Sequence, residues 1–251
     1  MTATSTFADP AVLVTDVIRL RLRLEEVLDQ LTDARVAADS PLPGWTTGHV
    51  LAHVVGVGSA VARQIEHARV GRLVAFYDGG MPARDAAIEA SAGASAEDHA
   101  RDVRAAALRV ESAFAALGDD GWRAPIQHRN GTVLAIAHAW WRELAIHLTD
   151  LELGVTNAVW SPALCEHLVR YLAPRVPEGT RLVLLPTDGA DGADGATAGA
   201  ASWELGAGEE VTVHGTVGDL VAVLAGREPV GTVETRRGGV PAALPELLPW
   251  P

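Results

Sequence analysis

A carboxylate and an imidazole lie four residues apart in a long, mostly apolar segment of the chain. Glu143 and His147 fall within residues 132–153, which contain no Pro or Gly and predict one helix that stops at Gly154. At about 100° per residue, the two side chains share one face of that helix. The pair is either an ordinary intrahelical contact or two ligands of a metal ion that takes a further ligand from elsewhere.

Two histidines with the same spacing offer that further ligand. His49 and His53 lie on a helix that is predicted to start just after Trp45. Two helices that present imidazole from one and a carboxylate with imidazole from the other can give a two-His, one-carboxylate set to a divalent ion. Three protein ligands with an open position are typical of catalytic zinc, and the same set also suits iron or manganese.

Composition limits the chemistry. The chain has 251 residues, 48% of them hydrophobic, with a net charge of −12 and a pI near 5.1, which argues against nucleic-acid and anionic-membrane surfaces and favours small molecules or proteins as partners. Cys165 is the single cysteine, so no internal disulfide can form. We do not interpret this predicted helix residue as a nucleophile, so any sulfur chemistry needs an external thiol. Neither the N-terminus nor any apolar run indicates export or a membrane span, which predicts a cytoplasmic protein.

The candidate ligands require a helical scaffold. Asp9 and Pro10 are typical of a helix start, and the apolar spacing predicts a first helix over 11–37. Thr46 or Thr47 would cap a second helix that runs to about residue 70, and Thr132 would cap the last. The predicted helices are 11–37, 47–70, 96–117 and 132–153. They favour a four-helix bundle, with residues 77–84 as a connection over its mouth.

The remainder predicts a smaller α+β domain. Its expected elements are a helix at 163–172, strands at 181–185, 202–205 and 210–214, and a helix at 218–226. The last two strands are joined by the turn Gly206-Ala207-Gly208. Residues 189–201 are expected to be a mobile loop, and the tail from Pro229 is expected to be irregular. The predicted architecture is therefore mainly α, with a metal-binding bundle at 1–157 and a small α+β domain at 158–251.

Two runs of sequence resemble a known family. Residues 42–53 (LPGWTTGHVLAH) and 142–151 (RELAIHLTDL) resemble the DinB-like, metal-binding bundle of the mycothiol-dependent maleylpyruvate isomerases. The run LAGR at 224–227 resembles their sterol-carrier-like small domain. The resemblance implies that His53, Glu143 and His147 are zinc ligands and that Arg84 and Arg227 are catalytic arginines near the substrate.

Each implied role has a simpler alternative. Arg84 is equally an ordinary loop charge, and Arg227 is equally a cation that stabilises a helix C-terminus. His49, in the first turn of its helix, is expected beside the helix cap or behind the ligands; as a fourth ligand it would instead favour a structural ion. Asp150 could orient the His147 imidazole or be solvated.

The resemblance implies a zinc- and mycothiol-dependent cis-trans isomerase. A thiolate would add to the double bond of maleylpyruvate, the resulting single bond would rotate, and elimination would give fumarylpyruvate. The same ligands would also serve a mycothiol S-transferase that conjugates an electrophile, or a non-catalytic DinB-like binding protein. The implied partners are a small dicarboxylate and a low-molecular-weight thiol, with no nucleic acid and no membrane.

Overall fold

The computed structural model describes residues 9–188 and 202–251 and divides into two compact units, Met1–Val155 and Thr156–Pro251. The sequence-predicted mobile loop at 189–201 lies outside the described residues. The mainly α fold, with a helical bundle and a smaller α+β unit, is confirmed.

Four long helices form the bundle of the first unit. Its elements are α1 (Pro10–Leu28), α2 (Asp33–Val36), α3 (Thr47–Ala68), α4 (Gly80–Ser91), α5 (Ala96–Ala115) and α6 (Val133–Asp150). Helix α3 packs against α5 and α6, and α1 packs against α6 and α5. Helix α6 therefore has an apolar contact on two sides, and Trp140 and Trp141 are fully buried there.

The predicted caps are present. Asp9 accepts a hydrogen bond from the backbone N–H of Ala11, with Pro10 in the first turn of α1. Thr46 caps α3 and Thr132 caps α6, each through its side-chain oxygen. These single polar residues satisfy backbone N–H groups that have no partner inside the helix, which is why they identify the helix starts.

The predicted first helix is too long. Helix α1 ends at Leu28, and Thr32 caps a separate short helix, α2. Arg35 from α2 donates to the carbonyl of Leu151 over 2.7 Å, which satisfies an acceptor at the end of α6. Helix α6 itself ends at Asp150 and not near residue 153, and Glu152 follows with a positive φ of 51°.

The predicted connection over 77–84 is wrong in its second half, because Arg84 lies on helix α4. Only Ile88 is buried in that helix, so the sequence has no apolar stripe to identify it. Gly79 precedes α4 in the left-handed region, with φ of 77°, a conformation that glycine adopts without steric cost.

The described part of the second unit combines two α-helices with a five-stranded sheet. Its elements are α7 (Pro162–Leu172), β1 (Gly179–Pro186), β2 (Trp203–Gly206), β3 (Gly208–Gly215), α8 (Val217–Leu224), β4 (Glu234–Arg237) and β5 (Val240–Pro241). The strand order is β2-β1-β3-β4-β5, with β1 and β3 parallel. The strands joined by the Gly206-Ala207-Gly208 turn therefore flank β1 and do not pair with each other. Helix α8 packs on α7, β1 and β3.

The prediction of an irregular tail from Pro229 is wrong in part, because the tail contributes β4 and β5. The backbone of β4 pairs with β3, and Arg237 of β4 also binds Glu209 over 2.8 Å. Among the described helices of both units, none combines the length and the apolar character needed to cross a membrane.

Candidate metal centre

Helices α3 and α6 bring the three predicted ligands together. His53 lies on α3, and Glu143 and His147 lie one turn apart on α6. The two helices approach closely beside these residues, because Gly58 faces the Trp140 ring. A Cβ at position 58 would lie 3.1 Å from that ring, so the small residue permits the approach.

The ligand atoms converge on one carboxylate oxygen. Nε2 of His53 lies 2.9 Å from Oε2 of Glu143, and Nε2 of His147 lies 3.1 Å from the same oxygen. All three ligand atoms lie within 4.8 Å of one another, so the group could hold a metal ion. The Glu143 side chain keeps 35% exposure, whereas both imidazoles are largely covered.

His147 is oriented from behind. Its Nδ1 donates to Oδ2 of Asp150 over 2.9 Å, and Asp150 is 1% exposed. Burial would lower the pKa of His147, but hydrogen bonds to Asp150 and Glu143 outweigh that cost and raise it to about 9. Of the two interpretations of Asp150, the structure supports the one in which it orients the imidazole.

The hydrogen bond between Glu143 and His53 shifts the pKa values of both residues. Burial would raise the pKa of Glu143, but hydrogen bonds from His147 and His53 hold it well below its usual range. Burial lowers the pKa of His53, against the effect of its hydrogen bond to Glu143. These contacts favour the ionised form of Glu143 and the protonated form of His147, whereas burial disfavours the charged form of His53.

An arginine lies behind His53. The NH2 group of Arg84 donates to Nδ1 of His53 over 2.8 Å, and its NH1 group donates to Asp85 over 2.7 Å. The guanidinium carbon lies 5.6 Å from the centre of the Trp45 ring, in a cation–π arrangement. Since guanidinium only donates, Nδ1 of His53 accepts and Nε2 carries the proton that bonds to Glu143.

Sequence reasoning missed two members of this group. Trp45 packs against both Arg84 and His53, its ring centre lying 5.5 Å from that of the imidazole. Burial raises the pKa of Tyr77, while the positive charge of Arg84 acts in the opposite direction, so the hydroxyl lies near the guanidinium. Neither residue lies at a sequence spacing from the ligands that would place it on the same helix face. Their aromatic character next to a helix start and a Gly-Gly pair was the available signal.

His49 is not part of the ligand cluster. It belongs to a capping box with Thr46, whose backbone N–H donates to Nδ1 of His49 over 3.1 Å. Its Nε2 lies 3.5 Å from Oε2 of Glu89. The position beside the helix cap agrees with the sequence-based expectation.

The remaining candidates lie in the second unit. Arg227 follows α8 and donates to the carbonyl of Ala225 over 3.0 Å, in keeping with a cation at a helix C-terminus. Its role near a substrate stays a prediction. Cys165 is buried in α7, 1% exposed, with its thiol directed to the Trp160 carbonyl.

A helical bundle with a two-histidine, one-carboxylate cluster defines a candidate metal-binding protein. Residues 19–152, just over half of the chain, match the model of the mycothiol maleylpyruvate isomerase N-terminal domain. The chain belongs to this family.

Solved structures agree with the assignment. The chain is similar to the crystal structure of a mycothiol-dependent maleylpyruvate isomerase, with a TM-score of 0.81, 21% identity, and coverage of 97% of this chain and 98% of that one. A histidine-to-alanine mutant of such an enzyme gives a TM-score of 0.80 at 20% identity, with the same coverage. At these identities the likeness shows the fold. No match was found among curated proteins.

Proposed function

We propose that this protein is a zinc- and mycothiol-dependent cis-trans isomerase that converts maleylpyruvate to fumarylpyruvate. The observation that carries the proposal is the convergence of His53, Glu143 and His147 within 4.8 Å in a member of this family. The proposal keeps the cytoplasmic location that the sequence predicts.

The donor set fits a zinc ion. Two imidazole nitrogens and one carboxylate oxygen are ligands that catalytic zinc uses, with room for a ligand from outside. Asp150 behind His147 is the carboxylate partner that metal-binding histidines commonly have. A bound zinc ion would lower the pKa of a thiol, so that the thiol reacts as a thiolate near neutral pH.

The thiol must come from outside the chain, because Cys165 is buried in the second unit. The thiolate sulfur bonds to one carbon of the cis double bond, and the π electrons move to the conjugated carbonyl oxygen as an enolate. The former double bond is now single and rotates. The enolate then re-forms the double bond in the trans arrangement as the carbon–sulfur bond breaks, which returns the thiolate without net proton transfer.

The negatively charged substrate requires cationic side chains for binding. We assign Arg84 and Arg227 as catalytic residues that bind its carboxylates and stabilise the enolate oxygen. A net charge of −12 would repel a dianion, so local cations are needed for binding. Arg84 is well placed for this role, since its guanidinium lies beside His53 and on the Trp45 ring.

Metal analysis with a product assay tests the proposal. We expect about one zinc per chain in the wild type, loss of that zinc in His53→Ala, and isomerisation of maleylpyruvate only when mycothiol is present. His99→Ala is the matched control, since His99 is a buried bundle histidine outside the cluster. Zinc binding with release of a mycothiol conjugate in place of fumarylpyruvate would indicate an S-transferase. Absence of zinc from the wild type would overturn the metal centre and leave the non-catalytic binding protein.

A further inference from the structure

The contact between Arg84 and His53 fixes which ring nitrogen of His53 carries the hydrogen. Its 2.8 Å separation joins a guanidinium N–H to Nδ1 of His53, which must accept. Guanidinium has five N–H donors and no acceptor, so it cannot bond to a nitrogen that carries a hydrogen.

Metal binding reverses the role of that nitrogen. The Nε2 atom of His53 faces Glu143 and is the atom that a metal would take. A neutral imidazole bound to a metal through one nitrogen carries its hydrogen on the other and donates it to a carboxylate, a carbonyl or water. The imidazole then remains neutral, but Nδ1–H and the Arg84 N–H point at each other. The two groups must separate, and each then needs an acceptor.

The two histidines differ in the group that contacts Nδ1. Behind His147, the acceptor is already present as the buried carboxylate of Asp150. Behind His53, the corresponding place is taken by a cation. Asp85 is bonded to the NH1 group of Arg84, whereas the NH2 group contacts His53.

We propose that metal binding creates a carboxylate-binding position between the guanidinium of Arg84 and Nδ1–H of His53. One carboxylate of the dianionic substrate enters it and accepts hydrogen bonds from both groups. Metal and carboxylate therefore bind cooperatively, each increasing the affinity of the other. This inference rests on the proposed function and specifies where its substrate binds.

The surroundings allow the separation. The Arg84 guanidinium can separate from His53 by rotation about the bonds of its own long side chain, so helix α4 keeps its packing on α3. The Trp45 ring offers the guanidinium a flat surface along which the cation–π contact can persist. A carboxylate held there pairs with the planar guanidinium in the geometry that arginine favours.

Calorimetric titration of the full chain without thiol tests the coupling, with maleate as the carboxylate probe. We expect maleate to bind zinc-loaded protein about tenfold or more tightly than metal-free protein, and zinc affinity to rise by the same factor in saturating maleate. Nitrogen NMR of His53 provides a second measurement, in which zinc moves the ring hydrogen from Nε2 to Nδ1.

Arg84→Gln separates this inference from the alternatives. The Gln carbonyl can accept from Nδ1–H, so zinc affinity should equal or exceed that of the wild type, while the maleate coupling is lost. The matched control is Arg109→Gln, whose arginine pairs with Glu66 on the surface of the same unit and should change neither constant.

The outcomes are distinct. Equal maleate affinity with and without zinc in the wild type overturns the inference and leaves the isomerase proposal intact. Coupling that persists in Arg84→Gln means that maleate binds the metal itself, which also overturns it. Failure of the wild type to bind zinc overturns the metal centre of the proposed function and this inference with it.

Discussion

Asp150 accepts a hydrogen bond from Nδ1 of His147 over 2.9 Å and is almost fully buried. A buried carboxylate in this place holds the imidazole in one orientation and directs Nε2 toward Glu143. The contact joins residues three apart on α6, so the helix geometry itself aligns the ligand.

Replacing that carboxylate should weaken metal binding. We expect Asp150→Asn to reduce zinc affinity about 10- to 100-fold, because the charge that orients His147 and increases its basicity is removed. Competition with a chromophoric chelator measures the change. Asp102→Asn on the exposed face of α5 is the control and should bind zinc normally. Equal affinities in Asp150→Asn and wild type would contradict the role of Asp150.

Zinc affinity should depend on pH through His147. Its folded pKa of about 9 means that, at neutral pH, the metal must displace a proton. Affinity is therefore expected to rise about tenfold per pH unit from 7 toward 9 and to level off above 9. Calorimetry in buffers of different ionisation enthalpy should detect about one proton released per zinc at pH 7.

The same Asp150→Asn variant serves as the control for this pH profile. Loss of the Asp150 charge lowers the pKa of His147, so affinity should level off at a lower pH. A wild-type affinity that stays constant between pH 7 and 9 would mean that His147 is neutral in the metal-free protein.

The metal-free protein should also lose stability as the pH rises from 6.5 to 9. The folded pKa of His147 is raised above the unfolded value of 6.5, so its contribution is fully present below pH 6.5 and is lost as pH rises through 9. We expect the free energy of unfolding in urea to fall by a few kcal/mol over this interval. Zinc-saturated protein provides the comparison, because its His147 is already deprotonated; an equal fall there would assign the effect to other groups.

The scaffold was predictable where one residue decides the local structure. Asp9 and Thr132 supply side-chain oxygens to helix starts, and the four-residue spacing of Glu143 and His147 places both on one face of α6. Helix caps and helical periodicity depend only on residues close together in the chain, so the sequence alone predicts them.

The rest depends on contacts between distant residues. Helix α4 was missed because Ile88 alone is buried, and β4 was missed because its backbone pairing with β3 leaves no pattern in side-chain polarity. The Arg84–His53 bond joins residues 31 positions apart on two helices, so no spacing rule predicts it. The sequence therefore indicated which residues cluster, but not which side chains contact the far side of each imidazole.

A close backbone approach places α4 beside α3. At Gly48 an added Cβ would lie 2.0 Å from the carbonyl oxygen of Ala92, the C-cap residue of α4. Gly48→Ala should therefore displace α4 and lower the free energy of unfolding by about 1–3 kcal/mol.

Gly56→Ala on the same helix is the control, since nothing lies within 4 Å of its added Cβ. Helix propensity predicts that it stabilises the protein by up to about 1 kcal/mol. Equal stability of the two variants would contradict the close packing at Gly48.

Tyr77 should act on the substrate through Arg84. Its hydroxyl lies near the guanidinium, whose charge lowers the Tyr77 pKa against the effect of burial, so Tyr77→Phe removes a polar neighbour of the cation. We expect KM for the dicarboxylate to rise about tenfold, the cost of a polar interaction with a charged group, with kcat and zinc affinity nearly unchanged. Tyr171→Phe is the matched control, because that hydroxyl bonds to the Pro251 carbonyl within the second unit. A fall in kcat at constant KM would instead place the Tyr77 hydroxyl at the reacting atoms, where it would stabilise the enolate directly.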